Sequence, residues 1–189
     1  MLVWRFDRPR LCCSSAPVGG GIGRRSWVLD VEVPSGYDRT DLDAHVAEVA
    51  ALAGCGGDGV GLLTAAPVDD WVHAVEDGVE VVATVGVTRP TWAADVEGAH
   101  AAWRPGTINV VAFVPVRLSD AALVNAATTA AEAKAQALVE RGVPGTGTAS
   151  DAVCVVCPDG GDVEPFGGPR STWGSRLARA VHRAVGVGL

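Results

Sequence analysis

Lys134 and Asp151 are the residues of this sequence best placed for chemistry. Lys134, the only lysine of the chain, lies in a segment with helical periodicity. A buried lysine is costly unless it is paired, and it is often functional, although a lysine can also extend its amine to solvent. Asp151 follows a loop of glycines and hydroxyl residues, Gly145–Ser150, and precedes an apolar strand. We interpret Asp151 as a candidate general base; the alternative is a loop aspartate bonded to its own backbone.

Helix geometry separates Lys134 from Glu132, the second acid–base candidate of the same segment. At about 100° per residue, Lys134 falls within an apolar stripe and Glu132 projects roughly to the opposite side. The stripe consists of Leu123, Ala127, Ala131 and Leu138. Glu132 is therefore either solvated or lines a pocket that a loop covers.

A site that acts on a carbonyl group also needs a hydrogen-bond donor for the carbonyl oxygen. Asn109 lies in an apolar strand after Gly106-Thr107. Its side-chain amide can donate to a carbonyl, and the alternative is a residue of a turn at the strand start. The backbone N–H groups of Gly145–Ser150 can likewise cradle an anion, or the segment is an ordinary glycine turn.

The cysteine spacing does not predict a metal site. Cys154 and Cys157 are three residues apart in a strand, so they point to opposite faces, and no second Cys or His pair follows. We predict that the protein uses no metal. His45 lies in a segment that looks helical, and we interpret it as a surface histidine.

The elements that must position these residues give an α+β pattern. Apolar runs bounded by Gly, Pro or Asp predict seven strands, and capped amphipathic segments predict three helices. The strands are Arg10–Ala16, Trp27–Val33, Val60–Ala66, Trp71–Val75, Val79–Thr88, Ile108–Val116 and Ala152–Cys157. The helices are Asp41–Ala53 after Thr40, Asp120–Arg141 after Ser119, and Trp173–Val185. We predict a single domain over residues 1–189, with about three helices packed on a mixed sheet.

Composition excludes several classes of protein. The net charge of −7 and the pI of about 5.0 argue against a nucleic-acid binder. The five cysteines include an adjacent pair, and an odd count favours a reducing compartment over a secreted disulfide framework. The N-terminus lacks a signal-peptide pattern, and no apolar run reaches the length of a membrane span. We predict a cytoplasmic protein that binds neither nucleic acid nor membrane.

The chain resembles the adenosylcobinamide amidohydrolase family through a series of short motifs in order. They are Ser14-Ser15-Ala16-Pro17-Val18-Gly19-Gly20-Gly21, Leu63-Thr64-Ala65-Ala66, Gly106-Thr107-Ile108-Asn109, Glu132-Ala133-Lys134 and Gly145-Thr146-Gly147-Thr148-Ala149-Ser150-Asp151. Each motif alone is weak, but their order and spacing from about Arg8 to about Val185 are specific.

This resemblance implies an enzyme that removes aminopropanol from cobinamide or adenosylcobinamide and leaves cobyric acid. The corrinoid is then the substrate, and no cofactor is expected. We take Asp151, Lys134, Glu132 and Asn109 as catalytic candidates. The substrate-binding candidates are Thr107, Gly147, Thr148, Ser150, Thr64 and Ser15. The alternatives are a corrinoid-binding protein without catalysis and an unrelated small amidase; the number of subunits, a homo-oligomer included, stays open.

Two departures from the family pattern stand out. The loop before Asp151 has Ser150 where the family pattern has threonine, so the hydroxyl is kept. Near the C-terminus the family pattern Gly-x-His-Thr is replaced by Gly168-Pro169-Arg170-Ser171, without histidine. If that histidine acts in catalysis, this protein needs a substitute or has altered activity.

Overall fold

The computed structural model describes residues 1–96 and 106–189, and within them nine strands, three α-helices and one short 3-10 helix, Val68–Asp70. The strands are Leu2–Ser14 (β1), Gly21–Glu32 (β2), Gly59–Thr64 (β3), Val72–Glu76 (β4), Val79–Val85 (β5), Ile108–Phe113 (β6), Arg117–Leu118 (β7), Ala152–Cys157 (β8) and Val163–Glu164 (β9). The helices are Leu42–Leu52 (α1), Asp120–Glu140 (α2) and Thr172–Gly188 (α3). The α+β class with a mixed sheet is confirmed.

The main sheet has the strand order β3-β2-β1-β8-β6-β5-β4, while β7 and β9 form a separate parallel ribbon. The pairs β2–β3 and β6–β8 are parallel and the other neighbours are antiparallel. Strand β1 shifts its register on β2 between Arg5 and Arg10, and only its last residues, Leu11–Ser14, pair with β8. The long strand β1 therefore joins two parts of the sheet.

Three apolar clusters show how the layers pack. Helices α2 and α3 cover one face of β5, β6 and β8 in the largest cluster. The opposite face of β6 and β8 shares a second cluster with Val28, Val60 and Leu62 of β2 and β3. Helix α1 packs through Val46 and Ala50 on the outer face of β2. The β2–β3 part thus folds over the centre of the sheet and is buried on both faces.

The β4–β5 hairpin turns at Asp77-Gly78, a dipeptide that favours a two-residue hairpin turn. Asp77 and Gly78 have φ values of 45° and 90°, the positive pair that a two-residue turn between antiparallel strands requires. The loop is therefore two residues long, and β4 extends to Glu76, one residue beyond the predicted strand end at Val75.

The predicted start of the first helix is wrong by one residue. The N-cap of α1 is Asp41, not Thr40, and Asp41 makes no side-chain capping bond. Its carboxylate is instead held by Arg39, whose Nε and Nη2 donate to it at 2.9 and 2.7 Å. By contrast, Ser119 caps α2 as predicted, accepting from the N–H of Ala122 at 3.1 Å.

The predicted apolar stripe of α2 is also partly wrong. Ala131 is exposed and Ala127 is only partly buried, whereas Leu123 and Leu138 are fully buried. The buried stripe consists mainly of alanines at 122, 126, 130, 133 and 137. Because alanines occur on every side of this helix, its hydrophobic periodicity was a poor guide to the packed face. Lys134 nevertheless lies on the buried side, as predicted.

Candidate active site

Several sequence candidates meet where β1 ends and β6 and β8 begin. The ends of β2 and β3 reach the same place because the β2–β3 part folds over the centre of the sheet. A cleft of about 400 Å³ opens there. Ser15, Thr107, Ser150 and Asp151 line it, together with residues of the loops after β1, β2 and β3. The chain brings these four polar residues together because β1 runs antiparallel to β8 and β6 runs parallel to it.

The Asp151 carboxylate accepts hydrogen bonds from four donors. Its Oδ1 accepts from the N–H of Ile108 at 2.9 Å and from the hydroxyl of Thr148. Its Oδ2 accepts from the N–H of Thr148 at 3.0 Å and forms an ion pair with Nζ of Lys134. The side chains of Lys134 and Asp151 are 10% and 11% exposed, so the pair is shielded from solvent and salt. The sequence prediction that Lys134 points inward is confirmed, and its partner is Asp151.

Gly147 is packed directly against this ion pair. A Cβ atom at position 147 would collide with both Oδ2 of Asp151 and Nζ of Lys134. The carbonyl of Gly147 accepts from the N–H of Thr91 at 2.8 Å, in an isolated bridge that pins the loop in place. A side chain at position 147 would therefore displace the charged end of Asp151, of Lys134 or of both.

Hydroxyl groups form the rest of the polar wall. Thr107 Oγ1 and Ser150 Oγ are 2.8 Å apart, and either can be the donor. When Ser150 donates to Thr107, the Thr107 hydrogen is free for a ligand in the cleft. Ser15 extends the β1–β8 pairing: its N–H donates to the carbonyl of Val153 and its Oγ accepts from the N–H of Val153, both at 3.0 Å.

The loop before Asp151 offers fewer backbone donors than its sequence suggested. The N–H groups of Gly145 and Thr146 donate to the carbonyls of Val143 and Thr91, each at 2.9 Å, and that of Thr148 donates to Asp151. These three amides are used within the protein. The loop holds the carboxylate of Asp151 in place, and its amides do not form one continuous anion cradle.

Asn109 lies beneath the cleft in a buried polar cluster that sequence reasoning missed. Its Nδ2 donates to Oδ1 of Asp30 at 2.8 Å and to the carbonyl of Leu63 at 3.1 Å. Oδ2 of Asp30 accepts from the hydroxyl of Thr84 at 2.8 Å. Burial raises the pKa of Asp30, against the opposing effect of these two hydrogen bonds. The cluster connects β2 to β5 and β6 across the interior, and Asn109 is not among the residues that line the cleft.

Five other candidates lie outside the cleft lining. Lys134, Gly147 and Thr148 contact Asp151 from outside it, whereas Glu132 and Thr64 do not. Glu132 is on the exposed side of α2, so the structure does not bring it to Asp151. Thr64 is fully buried, and its hydroxyl accepts from the N–H of Ala66 at 3.0 Å, which closes the turn after β3. The neighbours of Thr64, Leu63 and Ala65, line the cleft in its place.

Comparison with known proteins shows to which family the chain belongs. The profile of the adenosylcobinamide amidohydrolase family matches residues 1–189, the whole chain. This chain belongs to that family. It is 35% identical over 178 residues to an adenosylcobinamide amidohydrolase of Halobacterium salinarum, covering 90% of this chain and 76% of the relative. It is 29% identical over 185 residues to an adenosylcobinamide amidohydrolase of Methanosarcina mazei, covering 93% and 88%.

The segment Gly168–Ser171, which lacks the histidine of the family pattern, lies away from Asp151 in the structure. Gly168 packs against Asn125 in the first half of α2, and Arg170 lines the same surface groove. Asn125 and Lys134 are nine positions apart, which is about 14 Å along a helix axis. The Arg170 segment and the Asp151 cleft are therefore separate places in this member of the family.

The charged residues of the site are not arranged to hold a metal. Among residues 1–96 and 106–189, no three His, Cys, Asp or Glu side chains lie close enough together to share an ion. Cys154 and Cys157 belong to different apolar clusters on opposite sides of β8, as the strand geometry predicted. No helix in the described part of the chain is both long and apolar enough to cross a membrane.

Proposed function

We propose that the protein hydrolyses the amide bond that joins aminopropanol to the corrin ring of cobinamide or adenosylcobinamide, releasing aminopropanol and cobyric acid. The observation that carries this proposal is the match of all 189 residues to the adenosylcobinamide amidohydrolase family. Two relatives that bear the same name support it. We also propose that the protein acts in the cytoplasm, because its cysteines are unpaired and a reducing compartment keeps them so.

The size of the cleft fits the reacting arm of such a substrate. Pockets for drug-sized ligands measure roughly 300–1,000 Å³. The cleft, at about 400 Å³, is at the small end of that range. A corrin ring is much larger than a drug-sized ligand. We therefore propose that the aminopropanol arm enters the cleft and that the ring rests over its mouth.

Amide hydrolysis needs a base for the attacking water, donors for the carbonyl oxygen and a proton for the leaving amine. We propose that Asp151 removes a proton from the water as its oxygen attacks the amide carbon, and that it passes this proton to the nitrogen of aminopropanol as the C–N bond breaks. The Thr148 hydroxyl is the donor most easily turned away to expose a lone pair of Asp151, since it rotates without moving the backbone. Lys134 contacts Asp151 but is not among the residues that line the cleft, so we assign it a positioning role. The Thr107–Ser150 hydroxyl pair is our candidate donor to the carbonyl oxygen.

One observation supports the alternative of a corrinoid-binding protein without catalysis. All four donor contacts of Asp151 come from the protein itself, so the carboxylate gains a free lone pair only when one contact breaks. A protein that only bound the corrinoid would keep all four contacts. An unrelated small amidase has no comparable support, because the family match covers the whole chain.

The experiment is direct. The purified protein is incubated with cobinamide and, separately, with adenosylcobinamide in water enriched in ¹⁸O, and products are followed by mass spectrometry. We expect free aminopropanol and cobyric acid that carries one ¹⁸O atom in its new carboxylate. Binding of the corrinoid without product would favour the binding protein, and neither binding nor product would contradict both.

A further inference from the structure

The two walls of the cleft differ in chemistry. One carries Thr107, Ser150 and Asp151, described above. The other wall, formed by β3, α1 and the loops after β1, β2 and β3, is apolar except for Ser15 and for Tyr37, the only tyrosine of the chain. Its apolar members are Pro17, Val33, Leu42, Leu63 and Ala65. Because the Ser15 hydroxyl is hydrogen-bonded to the N–H of Val153, Tyr37 is the residue of this wall whose hydroxyl is our candidate ligand contact.

The Tyr37 hydroxyl is held in place by His45 of α1. The phenol oxygen lies 2.7 Å from Nδ1 of His45, and the two ring centroids are 5.3 Å apart. Partial burial raises the pKa of Tyr37, so the phenol keeps its proton at neutral pH. The interpretation of His45 as a plain surface histidine is therefore wrong: it is half-buried and supports a residue of the cleft.

The loop that carries Tyr37 is fastened to the same helix. The guanidinium of Arg39 binds Asp41 at the N-terminus of α1 and both carboxylate oxygens of Glu48 within it, at 2.8 and 3.1 Å. The N–H of Tyr37 donates to the carbonyl of Pro34 at 2.9 Å. The phenol is thus held before any ligand arrives, which reduces the entropy lost on binding.

We infer that Tyr37 is a specificity-determining residue that recognises the hydroxyl group of the leaving aminopropanol, and that His45 positions it. This inference rests on the proposed function. A phenol has one donor and two acceptor positions, so its contact with His45 leaves capacity for a second partner. The substrate arm carries one hydroxyl and one methyl group beyond the amide. The apolar residues beside Tyr37, such as Val33 and Leu42, suit the methyl group.

The kinetic consequence is specific. The hydroxyl of the arm does not change during hydrolysis, so a hydrogen bond to it is made equally in the ground state and in the transition state. Such uniform binding lowers KM and leaves kcat nearly unchanged. A structural defect of the cleft would instead affect substrates with and without the hydroxyl alike.

The test compares Tyr37→Phe with the wild type on two corrinoid amides, one of 1-amino-2-propanol and one of propylamine, which lacks the hydroxyl. Binding titrations of both amides accompany the kinetics. We expect the wild type to prefer the hydroxylated amide by about five- to tenfold, the range of one neutral hydrogen bond. In Tyr37→Phe this preference should vanish because KM for the hydroxylated amide rises. The kcat of that amide and both constants for the propylamide should stay nearly unchanged. His45→Phe, which keeps a ring, should lose part of the preference, and His182→Phe, at the exposed His182–Glu140 pair, serves as the control.

The outcomes separate the two ideas. A preference that survives in Tyr37→Phe, or equal losses on both amides, overturns the role of Tyr37. If the wild type binds both amides but hydrolyses neither, the proposed function fails, and the preference in the binding titrations still decides the inference. Circular dichroism and thermal unfolding of each variant show whether a loss comes from misfolding.

Discussion

Lys134 and Asp151 form an ion pair whose two side chains are each about nine-tenths buried, and Asp151 is held further by Thr148 of the preceding loop and by the N–H of Ile108 at the start of β6. Two buried charges offset each other's desolvation only when both are present and well hydrogen-bonded. The helix supplies the cation and the loop supplies the anion. The pair therefore couples the position of the loop at the cleft to the packing of α2.

Replacing Lys134 with Met should keep the bulk of the side chain and leave Asp151 without its cation. Breaking a buried pair from one side costs about 3 kcal/mol or more, so we expect the free energy of unfolding to fall by about that amount, measured by urea denaturation. Turnover should fall as well, because Asp151 loses the group that positions it.

The double variant Lys134→Met/Asp151→Asn gives the matched control. It removes both charges, so its free energy of unfolding should exceed that of Lys134→Met, while turnover stays low. If Lys134→Met unfolds like the wild type and turns over at the wild-type rate, the pair has neither role.

Replacing Gly147 with Ala tests the close approach of the loop. The added methyl group must displace the charged end of Asp151, of Lys134 or of both. Overpacking of this kind costs about 1–3 kcal/mol, and we expect turnover to fall at least tenfold, because a small displacement of a catalytic group lowers rate steeply. Gly160→Ala, at a loop glycine with open space around it, should leave both stability and rate unchanged. A fully active Gly147→Ala variant would show that the pair tolerates displacement.

The secondary structure was largely predictable because the buried strands β3, β5, β6 and β8 are mostly apolar runs between turn residues. The first half of β1 was missed because its exposed residues carry charges, Arg5, Asp7 and Arg8 among them, that do not resemble a strand. The two-residue strands β7 and β9 are too short to have a periodicity. Strand order depends on pairings between distant segments, which local patterns do not contain.

The site was predicted in part for similar reasons. Asp151, Thr107, Ser150 and Ser15 stand in short motifs at strand ends, and strand ends meet at the edge of a sheet. Asp30 was missed although its signal was present: it is a charged residue inside the apolar run Trp27–Val33. The contact between Tyr37 and His45 depends on the path of the intervening loop, and neither residue type nor spacing reveals it.

Replacing Asp151 with Asn removes the proposed base while keeping the size of the side chain. We expect turnover of cobinamide to fall by about a hundredfold or more. Corrinoid affinity should change little, because Tyr37 with its apolar neighbours and the Thr107–Ser150 pair stay intact. Asp162→Asn, at an exposed loop carboxylate, is the control and should keep the wild-type rate. An Asp151→Asn variant with near wild-type turnover would make Asp151 a structural residue.

Treatment with a chelator should leave turnover unchanged. The candidate groups are a carboxylate, an ammonium and hydroxyls, and catalytic zinc sites use three His, Cys or carboxylate ligands at one place. The measurement is the rate of aminopropanol release before and after dialysis against EDTA. Loss of activity that a single divalent metal restores would contradict the prediction that no cofactor is used.

Replacing Asp30 with Asn should change how stability depends on pH. Burial raises the pKa of Asp30 above the ordinary value of 3.8. Between 3.8 and the raised value, the folded protein keeps a proton that the unfolded chain has released, so this group's contribution to stability is present below 3.8 and is lost as pH rises through the raised pKa. An asparagine at position 30 has no proton to release, so the variant does not lose this part of its stability as pH rises. Its free energy of unfolding should therefore improve relative to the wild type as pH rises from below 3.8 to neutral.

The cluster around Asp30 explains why this variant is expected to fold. Oδ1 of Asn109 is buried and has no hydrogen-bond partner among the described residues. Asn109 need not turn, because its Nδ2 also donates to Leu63. The oxygen of an asparagine at position 30 can accept from that Nδ2, and its amide nitrogen can donate to the hydroxyl oxygen of Thr84. Urea unfolding of both proteins across this pH range measures the difference. A difference in unfolding free energy that stays constant with pH would show that Asp30 has the same pKa in the folded and unfolded chains.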